Sequence, residues 1–194
     1  IDTCGTGGDT LGTFNVSTLA GLVAAACGAR VAKHGNRAVS SRCGSADLLE
    51  ALGVRVDGPP HVAARCIDEA GFGFLFAPSY HPTLRLLAPL RRELGFRSIF
   101  NLVGPLANPA RVTRQVVGVP SAAYLLPVAE ALQALGLEHA YVVFGADGAD
   151  EVSLTGQTSV IEVRPERLVT HFIHPEDAGL ETCRLEELAG GGPE

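Results

Sequence analysis

Residues 2 to 18, Asp-Thr-Cys-Gly-Thr-Gly-Gly-Asp-Thr-Leu-Gly-Thr-Phe-Asn-Val-Ser-Thr, hold four glycines within eight positions: Gly5, Gly7, Gly8 and Gly12. Glycine tolerates positive φ and lets another molecule approach the backbone closely, so this density marks a shaped loop and not a regular element. Thr3, Thr6, Thr13, Asn15, Ser17 and Thr18 interleave the glycines with hydroxyls and an amide. An apolar run, Leu19 to Cys27, follows at once and reads as a helix over 16–27, with Asn15 as its cap and Gly28 as its stop. A glycine-rich turn feeding a helix N-terminus offers free N–H groups and the positive end of a dipole, which suits phosphate. The spacing matches neither Gly-x-Gly-x-x-Gly nor Gly-x(4)-Gly-Lys-Ser/Thr. Asp9 is the odd member, because a bare carboxylate repels phosphate. It acts through Mg²⁺ or holds the loop's own amides.

The rest of the chain alternates strand and helix. Ala29–Lys33 reads as a short strand, His34–Gly44 as a polar loop, Ser45–Gly53 as a capped helix, and Pro59 or Pro60 opens a helix to about Ala70. Phe72–Ala77 reads as a buried strand. Pro82–Leu94 has helical periodicity but contains Pro89, which kinks or splits it. Ser98–Pro109 is irregular. Gln115–Val119 is a strand, Ser121–Leu135 a helix and His139–Phe144 a strand, and 159–164 with 168–173 form a hairpin. The tail Gly190–Pro193 reads as a loop or a cut end. The expected fold class is α/β: a mostly parallel sheet flanked by helices, with an antiparallel hairpin near the C-terminal end. Ligands of such sheets sit beyond the carboxyl ends of strands. Three loops leave such ends: 5–18, 34–45 and 145–152.

With 194 residues, 46% hydrophobic and 19% charged, the chain can bury a full core. Its net charge of -6 argues against nucleic acid as a bulk partner, and no apolar run is long enough for a membrane span. Cys4, Cys27, Cys43, Cys66 and Cys183 lack Cys-x-x-Cys spacing and read as reduced thiols of a cytoplasmic protein. Methionine is absent, so the expectation is a piece of a longer protein: a single incomplete α/β domain over 1–194.

Lys33-His34-Gly35-Asn36-Arg37 gathers two cations, an imidazole and an amide around one glycine. It is either a solvated basic loop or a clamp for an anion. Asp147, Asp150 and Glu151 follow a buried strand. Carboxylates there are either solvated or suited to Mg²⁺, which takes oxygen ligands, keeps waters and bridges phosphates. Arg91 and Arg92 are surface arginines beside Glu93, or one of them grips a planar carboxylate. His139, His171 and His174 have no ligand spacing and read as structural or exposed.

Gly5-Thr6-Gly7-Gly8-Asp9, Asn15-Val16-Ser17-Thr18, Lys33-His34-Gly35-Asn36-Arg37 and Gly44-Ser45-Ala46-Asp47 resemble the signatures of the anthranilate phosphoribosyltransferase family. So do His81-Pro82, Arg91 in Leu-Arg-Arg-Glu-Leu-Gly, residues 100–109 and Asp150-Glu151, collinearly along almost the whole chain. The resemblance implies the nucleoside phosphorylase and phosphoribosyltransferase type of α/β domain. It also implies transfer of phosphoribose from phosphoribosyl pyrophosphate (PRPP) to the amine of anthranilate, with release of pyrophosphate, in tryptophan biosynthesis. PRPP contacts would fall on Gly5, Gly7, Gly8, Asp9, Thr13, Asn15, Ser17, Thr18, Lys33 and Ser45. Anthranilate contacts would fall on Gly5, His34, Asn36, His81 and Arg91. The Mg²⁺ cofactor would be held by Ser17, Asp150 and Glu151. No catalytic base is implied. Thr83, Leu84 and Leu90 depart from the residues common at their positions but remove no charge. Family members carry a helical domain before the glycine-rich loop and more α/β domain after it. They are homodimers through that helical lobe, whose absence leaves this piece free to be a monomer.

Three alternatives stand beside this expectation, one of them an inactive fragment whose cleft is half built. A pyrimidine nucleoside phosphorylase shares the fold and uses free phosphate, whereas Asp150-Glu151 with Asn15-Val16-Ser17-Thr18 favours a metal–pyrophosphate site. A non-enzymatic nucleic-acid binder should show a basic groove, against which the net charge of -6 stands.

Overall fold

The first strand, β1 (Asp2–Gly5), runs through the middle of the molecule, in a computed structural model that describes residues 1–7, 11–38, 42–86, 93 and 99–193. On one side it pairs in parallel with β4 (Arg114–Gly118), Cys4 lying opposite Val117. Beyond that come β5 (His139–Gly145), parallel to β4, and the antiparallel pair β6 (Thr158–Arg164) and β7 (Arg167–Ile173). These five strands form one sheet in the order β1-β4-β5-β6-β7. β2 (Val31–Gly35) and β3 (Phe72–Phe76) form a separate parallel pair. The architecture expected from the alternating pattern is therefore present, down to the hairpin that closes the edge.

The gap between the two sheets has a specific cause. The ladder between β1 and β2 begins normally, with the Ala32 amide donating to the Ile1 carbonyl at 2.9 Å. One step further a side chain takes over: Asp2 Oδ1 accepts the His34 amide at 3.3 Å. Asn108 Nδ2 donates to Asp2 Oδ2 and to the Ala32 carbonyl, both at 2.8 Å, so the junction is spliced by buried side chains. Gln115 Nε2 completes it, donating to the Pro105 carbonyl at 2.8 Å and lying 3.4 Å from Asp2 Oδ2. Buried polar groups at such a junction are tolerable because each finds a partner.

Alternation along the strands sends successive residues to opposite faces. Cys4, Val117, Ala140, Val142, Ile161 and Val163 pack on one face against Leu125, Val128, Ala129 and Leu132 of α6 (Leu125–Ala134). Thr3 points the other way, its hydroxyl donating to the Ser17 carbonyl in α1 (Val16–Ala26) at 2.8 Å. Gly21 of α1 faces Thr3, Phe72 and Val31 so closely that only a hydrogen fits there comfortably. Beside it, α2 (Ser45–Ala51) buries Ala46 and Leu49 against Phe74. On the opposite side, Ala63 of α3 (Pro60–Ala70) packs with Ala32 and Leu75.

Helix boundaries follow their local chemistry. Asn15 Oδ1 accepts the Thr18 amide at 3.0 Å and starts α1. Pro60 occupies the first turn of α3, where its missing N–H costs nothing, and Gly71 ends that helix at φ 75°. The helix expected over 121–135 starts as a 3-10 turn, Ala122–Tyr124, with Pro127 in the first turn of α6. After two short helices, α4 (Ala77–Tyr80) and α5 (Pro82–Leu86), the extension expected to Leu94 lies outside the described residues apart from Glu93. No helix among the described residues is long and apolar enough to cross a membrane.

Candidate active site

The carboxyl ends of β1, β2, β4 and β5 all open on the same edge of the molecule, and the loops that leave them touch. Asp150, in the loop after β5, lies across the tips of β1 and β4. Its Oδ2 accepts the Gly7 amide at 2.6 Å. A side chain at Gly5 would overlap that carboxylate, and one at Gly118 would overlap the Asp150 carbonyl. Gly7 has φ 73°, a left-handed backbone angle that glycine adopts without strain. The Thr6 amide donates to the Gly118 carbonyl at 3.0 Å, fixing the start of the glycine-rich loop on β4.

The acidic loop owes its shape to Asp147. Asp147 Oδ2 accepts the Ser153 and Thr155 hydroxyls at 2.7 and 2.8 Å, and Oδ1 accepts the Ala149 amide at 3.0 Å. These bonds hold its carboxyl below the usual range, against the upward pull of burial. Of the three acids, Asp147 is thus structural, whereas Asp150 bonds the glycine-rich loop and Glu151 lines a small cleft beside Thr13 and Phe14.

Lys33 is 1% exposed, so it is no solvated basic residue. Its ammonium donates to the Thr3 carbonyl at 2.5 Å and to Ser17 Oγ at 3.1 Å. Burial lowers its pKa, while the charges of Asp2 and Glu151 oppose that shift. Burial likewise raises the carboxyl of Asp2, against the pull of Lys33 and of the Asn108 hydrogen bond. Glycine-rich loop, buried cation and acidic loop therefore lie next to one another at these strand tips. Asn15 adds a fourth segment, its Nδ2 donating to the Cys43 carbonyl at 3.2 Å.

The polar loop after β2 is pinched shut at its base. Asp47 Oδ2 accepts the Ala38 and Gly44 amides at 2.8 and 2.9 Å, and the Asn36 carbonyl accepts the Ala46 amide at 3.2 Å. Arg37 grips Glu50 through two bonds and lies over the Phe76 ring at 5.6 Å. Its charge is paired within the scaffold, with Glu50 and Asp47. Asn36 and Ser45 remain at the loop's two ends, beside His34 and α2.

His34 and His81 meet edge to face, 5.1 Å between ring centres. Burial first, and then the neighbouring His81, pull the His34 pKa down to about 4, against a hydrogen bond to the Gly104 carbonyl. His34 is therefore neutral at pH 7. Its Nε2, the Nε2 of His81, and the hydroxyls of Thr6, Thr18 and Tyr80 are buried with no hydrogen-bond partner among the described residues. Native interiors rarely leave such groups unpaired, because each costs about 1–3 kcal/mol. Thr6 follows β1 and His34 lies near the end of β2, so at those two positions a polar ligand beyond the strand tips could supply the partner.

An oxygen-only donor set of Ser17, Asp150 and Glu151 suits a hard cation such as Mg²⁺. Among the described residues no three His, Cys, Asp or Glu side chains form a cage, so phosphate oxygens or water would have to complete such a shell.

Gly8, Asp9 and Arg91 lie outside the described residues. The Asp2–Asn108–Gln115 splice and Gly118 go beyond what the sequence leads one to expect. An acid opening a short, largely buried strand is the available signal for the first, and a glycine closing a buried strand for the second.

The whole chain, residues 1–194, matches a family described as glycosyl transferase family, a/b domain, and the protein belongs to that family. Within it, the chain is 55% identical over 191 residues to anthranilate phosphoribosyltransferase of Rubrobacter xylanophilus, covering 98% of this chain and 56% of that protein. The crystal structure of anthranilate phosphoribosyltransferase from Thermus thermophilus superposes with a TM-score of 0.92 at 54% identity, covering 99% of this chain and 56% of that one. The Saccharomyces cerevisiae enzyme in complex with PRPP and Mg superposes at 0.90 with 33% identity, over 99% of this chain and 53% of that one. It has also been solved with 4-fluoroanthranilate. The chain thus spans a little over half the length of these relatives.

Proposed function

We propose that this chain carries the reaction site of an anthranilate phosphoribosyltransferase, which transfers phosphoribose from PRPP to the amine of anthranilate. The observation that carries the reading is the direct bond from the Gly7 amide to Asp150, with the buried Lys33 ammonium bonded to Ser17 beside it. One place thereby combines amide donors, a cation and acidic oxygens. The relatives' names supply the substrates.

In this reading Gly7, Asn15, Ser17, Thr18, Lys33 and Ser45, with Gly5 and Thr13, line the PRPP side, and Gly8 and Asp9 complete it. Asp150, Glu151 and Ser17 would hold Mg²⁺, which would supply charge neutralisation for the departing pyrophosphate. Breaking the bond at the anomeric carbon builds positive charge on the sugar. Asp150 and Glu151 add negative potential at the same edge, and Lys33 offers positive charge to the leaving group. His34, His81 and Asn36, with Arg91 and the backbone of Gly5, line the acceptor side. Because the His34 ring N–H is committed to Gly104, its Nε2 lone pair faces inward and accepts from the aromatic amine. A pKa near 4 makes it a poor base, and none is demanded, since the aromatic amine is neutral at pH 7. Positioning and fixed electrostatics account for most of the acceleration.

The test is fluorimetric. Anthranilate fluorescence should fall when PRPP and Mg²⁺ are added to the full chain and should stay constant when either is omitted. Phosphate-dependent cleavage of thymidine without PRPP turnover would replace this reading with a nucleoside phosphorylase.

A further inference from the structure

The end of the chain bonds to the glycine-rich loop near its beginning. The Gly190 amide donates to the Gly12 carbonyl at 2.8 Å, and the Phe14 amide donates to the Leu188 carbonyl at 3.0 Å. Thr13 and Ala189 thereby form an antiparallel bridge. A few residues earlier, the Cys183 amide donates to the Leu154 carbonyl at 3.0 Å, on the far limb of the acidic loop. One short segment thus grips both loops that the proposed PRPP site needs. Between its two anchor points Leu188 joins Phe14, Val16, Val152 and Leu154 around a small apolar cleft. The segment is itself stiffened by a 3-10 turn, Leu185–Leu188, with Glu187 Oε2 accepting the Arg184 amide at 2.8 Å.

Gly190 is the tightest point. A Cβ there would stand 2.5 Å from the Thr13 carbonyl oxygen and 2.7 Å from the Phe14 nitrogen. Both are backbone atoms, so no side chain can rotate aside to make room. Any larger residue must lift the segment off the loop. The glycine serves close approach here and not an unusual backbone angle.

We propose that residues 183–190 are a strap that sets the glycine-rich loop against the acidic loop, with Gly190 as a positioning residue for PRPP binding. The proposal rests on the phosphoribosyl-transfer reading for its substrate. The strap's hydrogen bonds reach Gly12, Phe14 and Leu154, and not His34, Asn36 or His81, so its influence falls on one substrate. A general loss of stability would weaken both.

The experiment compares Gly190→Ala with the wild type in the full chain. The KM for PRPP should rise about tenfold while that for anthranilate stays within about twofold. Amide hydrogen exchange at Phe14 should quicken, because its bond to Leu188 is released. Leu188→Ala, which leaves the backbone contacts unclashed, should move both readouts the same way by less, and it serves if Gly190→Ala does not fold. Equal changes in both KM values, or unaltered exchange at Phe14, would overturn the strap. A wild-type chain without PRPP turnover would refute the functional reading alone, and the exchange measurement would still decide the strap.

Discussion

Gly118→Ala tests the most crowded contact at the strand tips. The added Cβ would overlap the carbonyl oxygen and carbon of Asp150 and lie 3.1 Å from its Cα. All three are backbone atoms, so the acidic loop must retreat by about 1.5–2 Å before ordinary contact distances return. A retreat of that size stretches the 2.6 Å bond between Gly7 and Asp150 beyond hydrogen-bonding length. Misplacing a catalytic group by about 1 Å can cost on the order of 10²-fold in rate, equivalent to about 3 kcal/mol of barrier. Overpacking adds a stability loss of about 1–3 kcal/mol. The variant should therefore stay folded at low temperature, melt earlier, and turn over at least about 10²-fold more slowly in the anthranilate fluorescence assay, with part of the loss recovered at high Mg²⁺. Gly58→Ala is the control, because its Cβ would make only ordinary contacts of 3.8–3.9 Å. Wild-type turnover in Gly118→Ala, at any Mg²⁺ concentration, would mean that the placement of Asp150 does not matter to the reaction.

Three further outcomes follow from the same geometry. His34 has its pKa depressed to about 4 in the folded chain against 6.5 unfolded, so the unfolded chain binds the proton more tightly. Neutral His34 contributes stability in full above about pH 6.5, and about 3 kcal/mol is lost as pH falls toward 4; urea midpoints against pH should be flatter in His34→Phe than in the wild type. Asp2→Ala should cost about 3–5 kcal/mol in a denaturant titration, since it strands the His34 amide, removes one acceptor of Asn108 Nδ2 and takes away the stronger of the carboxylate charges that Lys33 feels. Glu50→Gln weakens the half-exposed, solvent-screened pair with Arg37 and should leave the thermal melting midpoint close to that of the wild type.

The elements legible in the sequence are those whose signal is local. Asn15 caps α1 through its own side chain, and Gly71 ends α3 because it alone adopts φ 75° easily. The loop-to-helix pattern at 5–18 and the acids after β5 can likewise be read as site segments, because strand tips are where an α/β sheet puts its ligands. What cannot be read depends on partners distant in sequence. Asp2 meets Asn108 across 106 positions, and Gln115 across 113. Nothing local distinguishes Asp147, which shapes its loop, from Asp150, which faces the site. Arg37 carries the same charge as Lys33, yet one is spent on Glu50 and the other is buried against Ser17. The tail reads as a loose end because a single bridge pairing leaves no periodicity to detect.

The electrostatics of the strand tips constrain the ligand further. Around the glycine-rich loop, the described side chains set two carboxylates, Asp150 and Glu151, against one ammonium, Lys33. A site for a highly charged anion would normally reverse that ratio, as Arg and Lys clusters do. Here the acids would repel the pyrophosphate of the proposed substrate unless a divalent cation came with it. Lys33 is no surface charge that salt can screen, because at 1% exposure it acts through a low-dielectric interior. Holding an ammonium there is costly without a counter-charge, and Asp2 supplies one from the sheet junction behind it. The junction that interrupts the ladder between β1 and β2 is thus coupled to the charge beside Ser17. Affinity for the anion should then vary steeply with Mg²⁺ and weakly with added NaCl, the opposite of what an exposed basic clamp would give.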